Sequence, residues 1–145
     1  MWEITRLGGE DGPVSLATVS KRCHIPRNSL ATLALALRNQ GLLIGVRGSR
    51  GGYRLGRPCR EIALGEIIEA AVGPINIVEC AENPTSCLQS DDCACRLTYA
   101  LLNRNIRDLL NGVTLAEMLN PAWIRERYTN RTAPAKAAGR QEVTH

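Results

Sequence analysis

A glycine-rich basic turn between two short candidate strands is the feature that most limits the fold of this chain. The turn runs from Arg47 to Gly52 and reads Arg-Gly-Ser-Arg-Gly-Gly. Its glycines permit positive φ angles and a close approach of the backbone to a neighbour. Apolar, β-prone residues at 42–46 and 53–55 flank the turn, and this pattern predicts a two-stranded hairpin.

Two helices are predicted ahead of this hairpin. Ser15 can cap a helix over residues 16–22, and Gly41 is a typical residue to end a second helix near residue 39. Pro26 fits the first turn of the second helix, because no backbone donor is lost there. The predicted fold class is therefore mainly α with a small β-hairpin, in the order of a winged helix-turn-helix.

The remaining chain is predicted to be largely helical, with a cysteine-rich interruption. Residues 1–7 resemble the end of a helix, and apolar spacing predicts helices at 62–72, 97–113 and 115–119, the last with Thr114 and Glu117 as a capping box. Residues 80–95, here called the cysteine loop, are predicted to be irregular. The predicted division is a winged helix-turn-helix over 1–73, the cysteine loop and a long dimerisation helix within 74–119, and a disordered tail over 120–145.

Charge is unevenly distributed along the chain, whose net charge is +4. Residues 1–60 hold ten Lys and Arg against three acids, whereas residues 61–145 hold eight against eleven. This asymmetry indicates that the first half meets a polyanion, although a well-solvated arginine-rich surface is the plainer alternative.

Several protein classes are disfavoured by the sequence. No apolar run approaches the length of a membrane span and no secretory signal is visible, so we expect a cytoplasmic chain without a membrane partner. The chain has no nucleotide-phosphate loop and no catalytic His–acid pair, so we do not expect an enzyme.

The second predicted helix and the hairpin tip carry side chains suited to double-stranded DNA. A helix fits the major groove and its first turn faces the base edges. A basic hairpin tip can reach phosphates or the minor groove. A domain that binds only protein remains the alternative. The predicted DNA-binding residues are Arg27, Asn28, Ser29 and Thr32 in the helix, and Arg47, Ser49, Arg50 and Gly51 at the tip.

Six short segments together carry a family resemblance. They are Gly-Pro-Val-Ser-Leu at 12–16, Ile-Pro at 25–26, Leu-Arg-Asn-Gln-Gly-Leu at 37–42, Val-Arg-Gly-Ser-Arg-Gly-Gly-Tyr at 46–53, Ile-Ala-Leu-Gly-Glu-Ile-Ile-Glu-Ala at 62–70 and Val-Thr-Leu-Ala at 113–116. The chain resembles the iron–sulfur cluster regulators of the IscR/NsrR type, winged-helix repressors that sense nitric oxide, iron or redox state. The resemblance covers roughly residues 1–119, and its most specific part is the hairpin.

The resemblance implies a transcriptional regulator, as a rule a repressor, that acts as a homodimer. Its long helix crosses to the partner subunit, and two reading helices on one DNA face imply a near-palindromic operator. The residues support this independently, because the 97–113 helix has a larger apolar face than a small domain needs. Packing of that face against its own domain is the alternative. The face comprises Leu102, Ile106, Leu109 and Val113.

The sequence departs from the family pattern in two places. The family usually begins several helical turns earlier, so the chain is expected to be truncated or to start late. The missing turns contribute to DNA contact and, in some members, give a cluster ligand to the partner subunit. Ala31 stands where the family has an acidic residue in its reading helix, so a different operator sequence is expected.

Four of the six cysteines lie within sixteen residues, at 80, 87, 93 and 95. Stable disulfides are rare in the cytoplasm, so such a group points to metal, cluster or redox chemistry. Thiolates are soft ligands that suit iron–sulfur clusters and zinc. Structural zinc normally uses cysteine pairs with two to four residues between them, and this spacing provides none.

The resemblance implies that Cys80, Cys87 and Cys93 hold an iron–sulfur cluster, of the 2Fe-2S or the 4Fe-4S type, whose state controls operator affinity. Cys95 is an alternative to Cys93, an additional ligand or a redox partner. Zinc, thiol sensing without metal, and an electron-transfer protein remain alternatives. Arg96 and Tyr99 fall where some members have a ligating His and where the family often has an aromatic residue.

Four further Cys and His residues lie outside the loop, at positions 23, 24, 59 and 145. His145 lies in the tail and is expected to have no role. Cys23 is expected to be a small buried residue. His24 is expected to be structural or solvent-facing rather than a ligand. Cys59 receives no role from the sequence.

Overall fold

Helices dominate the computed structural model, which describes residues 1–87 and 93–132. The only sheet in these residues is a two-stranded antiparallel hairpin. No helix among them has the length and apolar character needed to cross a bilayer. The elements are α1 (Trp2–Arg6), α2 (Leu16–Cys23), α3 (Arg27–Asn39), β1 (Leu43–Val46), β2 (Gly52–Leu55), α4 (Leu64–Val72), α5 (Glu79–Glu82), α6 (Ala94–Asn111), α7 (Leu115–Met118) and α8 (Pro121–Thr132), with short 3-10 helices at Cys59–Glu61 and Pro84–Ser86.

The helix-turn-helix forms as its local signals predict, with one adjustment. The Ser15 hydroxyl accepts a hydrogen bond of 3.1 Å from the Thr18 amide and so caps α2. His24 ends α2 in a left-handed conformation with φ of 54°. Pro26 is the N-cap of α3 and lies just outside its first turn, whereas the sequence predicts it inside that turn. The fixed φ of proline suits either position, so sequence alone could not separate them.

The wing, defined here as residues 43–55, is the predicted hairpin, except that β1 begins one residue later and β2 one residue earlier than predicted. Leu43 pairs with Leu55 and Val46 pairs with Gly52. Tyr53 also exchanges two backbone hydrogen bonds of 2.9 Å with Val14, which fastens the wing to the start of α2. A Cβ at Gly52 would collide with the Val14 carbonyl, so this junction needs glycine.

One aliphatic core unites α1, the helix-turn-helix, the wing and the segment after α6. Burial of one such side chain contributes about 1.5–3 kcal/mol. Leu115 belongs to this core, so the end of the long helix is anchored within the winged-helix domain. The buried apolar residues are Ile4, Val14, Val19, Ala34, Leu37, Leu42, Leu43, Leu55, Ile62 and Leu115.

The capping box predicted before α7 is present. The Glu117 amide donates to the Thr114 hydroxyl at 3.2 Å, and the Thr114 amide donates to the Glu117 carboxylate at 2.7 Å. These reciprocal bonds satisfy two backbone donors that the start of a helix would otherwise leave free.

Three sequence predictions of irregular structure are corrected. The long helix begins at Ala94 rather than near residue 97, and Glu79–Glu82 forms one helical turn within the segment expected to be irregular. The tail expected to be disordered from residue 120 is helical over Pro121–Thr132. Its start is fixed because Asn120 Oδ1 accepts from the Ala122 amide at 3.1 Å and proline fits the first helical position. The rest of that prediction, over 133–145, lies outside the described residues.

Candidate nucleic-acid interface and cysteine loop

The first turns of α3 present polar side chains outward. Arg27, Asn28, Ser29 and Thr32 are all exposed, whereas Leu37 on the same helix is buried. No side chain caps the start of α3. The four predicted reading residues therefore share an accessible surface at the positive end of the helix dipole.

The wing tip is equally exposed, and its shape depends on glycine. Arg47, Ser49 and Arg50 are exposed. Gly48 has a φ of 116°, which side chains rarely adopt. A Cβ at Gly51 would collide with the Val46 carbonyl oxygen. Glycine at both positions therefore allows the two arginines to project from a very tight turn.

The wing tip lies close to the start of α2. Ser49, Arg50 and Gly51 line one side of an open groove of about 300 Å³, and Ser15 and Thr18 line it from α2. The groove is polar and presents hydroxyl groups beside an arginine, a combination that suits phosphate oxygens.

The arginines of this surface differ in their ion pairing from other arginines of residues 1–60. Within the residues that the structure describes, no acidic partner lies within 4 Å of Arg27, Arg47 or Arg50. Arg22 and Arg57, by contrast, are held by Glu3 and Glu66. The unpaired cations keep their charge available for an anionic partner.

Two exposed cations missed by the sequence reasoning extend this surface. Arg54 is exposed on β2, and Arg38 passes beside Gly45 near the end of α3. Neither has an acidic partner in the described part of the chain. Alternation along 53–55, which turns Arg54 away from buried Leu55, was a signal that could have identified the first.

The four clustered cysteines are placed by three different elements. Cys80 is half-buried in α5, and exposed Cys87 follows the 3-10 helix. Cys93 is the N-cap of α6, and exposed Cys95 lies in the first turn of that helix. All four carry free thiols.

These thiols have the right chemistry for a cluster but are not gathered around one point. Over residues 1–87 and 93–132, no three His, Cys, Asp or Glu side chains are arranged to hold a metal ion. Free, soft thiolates suit iron–sulfur and zinc chemistry. Residues 88–92, which link Cys87 to Cys93, lie outside the described residues. The thiols are suitable ligands, and they bind one cluster together only if the loop brings them to one point.

Cys59 is held in an environment that suppresses its reactivity. Its thiol donates to Glu10 Oε2 at 3.4 Å, and its amide donates to Glu10 Oε1 at 2.7 Å. Burial, followed by the bond to Glu10 and its negative charge, raises the pKa of the Cys59 thiol. A raised pKa reduces the thiolate fraction, so Cys59 is a poor nucleophile and ligand.

Cys23 and His24 also lie outside the cysteine loop. Cys23, predicted to be buried, is half-buried and packs against the core. His24 is exposed at the end of α2.

The long helix α6 carries exposed leucines that the described part of the chain leaves uncovered. Leu97 is 65% exposed and Leu101 is 59% exposed, and Leu102 and Leu109 are also exposed further around the helix. Of the face predicted from sequence, Leu102 and Leu109 are exposed, whereas Ile106 and Val113 are partly buried. Leucines left in water at helical spacing are typical of a surface that another chain covers.

Comparison with known proteins places this surface in context. The family model Rrf2, described as an iron-dependent transcriptional regulator, matches residues 1–121. The HTH-type transcriptional regulator IscR of Pectobacterium atrosepticum is 38% identical over 114 residues, which cover 79% of this chain and 69% of that protein.

Solved structures show the same fold. The structure of T. potens IscR aligns with a TM-score of 0.64 and 26% identity, covering 92% of this chain and 84% of that one. The structure of CymR, the global cysteine regulator of B. subtilis, aligns with a TM-score of 0.62 and 30% identity, covering 75% of this chain and 79% of that one.

Proposed function

We propose that this chain, which belongs to the Rrf2 family of transcriptional regulators, binds operator DNA through α3 and the wing under control of its cysteine loop. The expectations of a winged-helix regulator and of a protein that is not an enzyme are confirmed by the family. The observation that carries the proposal is the shared exposure of unpaired Arg27, Arg47 and Arg50 beside polar residues of α3.

The roles follow from position. Asn28, Ser29 and Thr32, with Arg27, are suited to read base edges in the major groove. Arg47 and Arg50, with Ser49 and the Gly51 backbone, are suited to hold phosphates or enter the minor groove. The exposed face of α6 joins two copies, so that two reading helices meet a near-palindromic site in the cytoplasm, where the DNA lies.

Control is assigned to an iron–sulfur cluster of the 2Fe-2S or 4Fe-4S type. Cys80, Cys87 and Cys93 would hold it, with Cys95 as the alternative to Cys93 or as an additional ligand. The bound cluster supplies sensitivity to nitric oxide, iron supply or redox state. Support comes from the free thiols, from the IscR-type resemblance and from the IscR relatives.

A second candidate is a regulator whose thiols sense without a cluster. It is favoured by the absence, among the described side chains, of three donors arranged for a metal. The solved relative named a global cysteine regulator also fits sulfur-based control. Cys87 and Cys95 are both exposed and accessible to oxidants.

DNA binding is tested with matched arginine variants. Arg47→Ala should weaken binding at every sequence and reduce the slope of log affinity against log salt by about one. Asn28→Ala should instead change which operator bases are preferred. Arg104→Ala, exposed on α6, is the control and should bind as the wild type does. Wild-type binding by both Arg47→Ala and Asn28→Ala would overturn the placement of the DNA-binding surface.

The cluster is tested by anaerobic purification with iron and acid-labile sulfide counts. We expect a coloured protein that loses iron and sulfide when Cys80, Cys87 or Cys93 is changed to Ser. Cys59→Ser is the matched control and should retain both. A colourless protein with stoichiometric zinc would contradict the cluster. A metal-free protein whose operator affinity follows thiol oxidation would establish the second candidate.

A further inference from the structure

Asn103 of α6 holds the segment that leads into the cysteine loop. This segment, residues 75–82, is called the strap here. Asn103 is 1% exposed, its Oδ1 accepts a hydrogen bond of 3.0 Å from the Ile77 amide, and its Nδ2 donates to Asn76 Oδ1 at 2.7 Å. A buried amide whose donor and acceptor are both used fixes its partners firmly, because breaking either bond leaves a polar group without water.

Arg107 lies one helical turn further along α6 and joins three elements. Its guanidinium donates to the Ile75 carbonyl at 3.2 Å and to the Glu82 carboxylate, and its Nε lies 3.8 Å from Glu69 Oε1. Glu82 ends α5, two residues after Cys80, whereas Glu69 belongs to α4. One side chain therefore ties the cysteine-bearing turn to the winged-helix domain.

The contact continues from α4 into the reading helix. Ile67 and Ala71 of α4 line the same apolar cavity as Leu30 and Leu33 of α3. These α3 residues lie within one turn of the exposed Asn28 and Thr32 positions. A displacement of α4 therefore acts directly on the helix that carries the proposed reading residues.

We infer that Asn103 and Arg107 are positioning residues that transmit the state of the cysteine loop to α3. The inference rests on the proposed function. Movement of Cys80 shifts Glu82 and so changes how Arg107 is shared between Glu82 and Glu69. Asn103 keeps the strap hydrogen-bonded to α6 during this movement, so the displacement is passed to α4 and is not absorbed by movement of the strap.

The role is one of coupling and not of bulk stability. The pair with Glu69 is long and partly exposed, and such pairs contribute little to folding. Arg107→Met keeps most of the packing of the aliphatic stem and removes only the charge and its donors. Arg104→Met is the matched control, because Arg104 lies on the same helix, is exposed and pairs with Asp108 of that helix.

The experiment measures operator affinity of the full chain in two states, as purified anaerobically and after iron removal by a chelator. Wild type should bind the operator with different affinities in the two states, and the ratio of these affinities measures the coupling. Arg107→Met should reduce that ratio by about threefold or more, since coupling between sites usually spans about 5- to 150-fold. Arg104→Met should keep it. Amide hydrogen exchange on the iron-free protein should be faster at 76–83 in Arg107→Met alone.

The outcomes separate the inference from the function beneath it. A wild type with the same affinity in both states would overturn the proposed control and the inference together. If the two affinities of wild type differ and Arg107→Met retains their ratio, even with faster exchange in the strap, the inference alone is overturned. Glu82→Gln, which keeps size and removes charge, gives the same test if Arg107→Met does not fold.

Discussion

The amide nitrogen of Leu115 donates a hydrogen bond of 2.8 Å to the carbonyl oxygen of Ile62, and both side chains are completely buried. A second bond of 2.8 Å runs from the Leu64 amide to the Val113 carbonyl. These two bonds form a short antiparallel bridge between the end of α6 and the start of α4. The long helix therefore leaves the winged-helix domain from a fixed point.

Leu115→Ala should lower the free energy of unfolding by about 2–5 kcal/mol, because it leaves a cavity in the shared core. Urea unfolding measures the change. Leu35→Ala is the matched control, since Leu35 is 45% exposed and its truncation should cost less than about 1 kcal/mol. Equal costs for the two variants would show that the bridge is not part of the folding core.

If the proposed dimer forms through α6, Leu101→Arg should convert it into a monomer. It places a charge in the middle of the exposed leucine face of α6, where a partner helix would have to desolvate it. Sedimentation velocity at several concentrations measures the association. Val72→Arg is the control, because Val72 is 78% exposed and belongs to α4 instead of α6. Dimerisation that survives Leu101→Arg and fails in Val72→Arg would move the interface to α4.

Local signals in the sequence predicted the elements whose causes are themselves local. Ser15 caps α2, Thr114 and Glu117 form their capping box, and the glycine turn produces the wing. Each depends on residues within a few positions of one another. Such patterns can be read from one sequence because spacing alone determines the geometry.

Features that depend on distant partners could not be read in this way. Arg107 contacts carboxylates in α4 and α5, and Asn103 contacts residues more than two dozen positions earlier. The helix α8 was missed because its residues lack apolar periodicity and only the Asn120–Pro121 start signals it. Whether the predicted cysteine ligands come within reach of one cluster depends on the conformation of the cysteine loop, which the spacing of the cysteines along the chain does not determine.

Glu10→Gln should accelerate alkylation of Cys59. The carboxylate raises the pKa of this thiol together with burial, so removing its charge increases the thiolate fraction at a given pH. Iodoacetamide labelling between about pH 7 and 9, followed by peptide mass spectrometry, measures the rate at Cys59. Asp11→Asn, a neighbouring exposed acid, is the control and should leave the rate unchanged. An unchanged rate in Glu10→Gln would show that burial alone protects Cys59.

Glu117→Gln should remove a pH-dependent part of the stability. Hydrogen bonds from the Thr114 amide and hydroxyl, at 2.7 and 2.9 Å, hold the pKa of Glu117 below its ordinary value of 4.5. A carboxylate whose pKa is lower in the folded state stabilises the fold fully above its unfolded pKa, and this contribution disappears as the pH falls through the folded pKa. Glutamine still fits a capping box, so the substitution isolates the charge.

Urea unfolding at about pH 6, 5, 4 and 3 measures this contribution. Wild type should exceed Glu117→Gln by about 0.5 kcal/mol or less at pH 6, because solvent screens so exposed a charge, and the gap should close toward pH 3. Glu126→Gln on α8 controls for the loss of one negative charge. A gap that stays constant with pH would mean that Glu117 acts through shape and hydrogen bonding alone, and the capping box would then stabilise α7 without its charge.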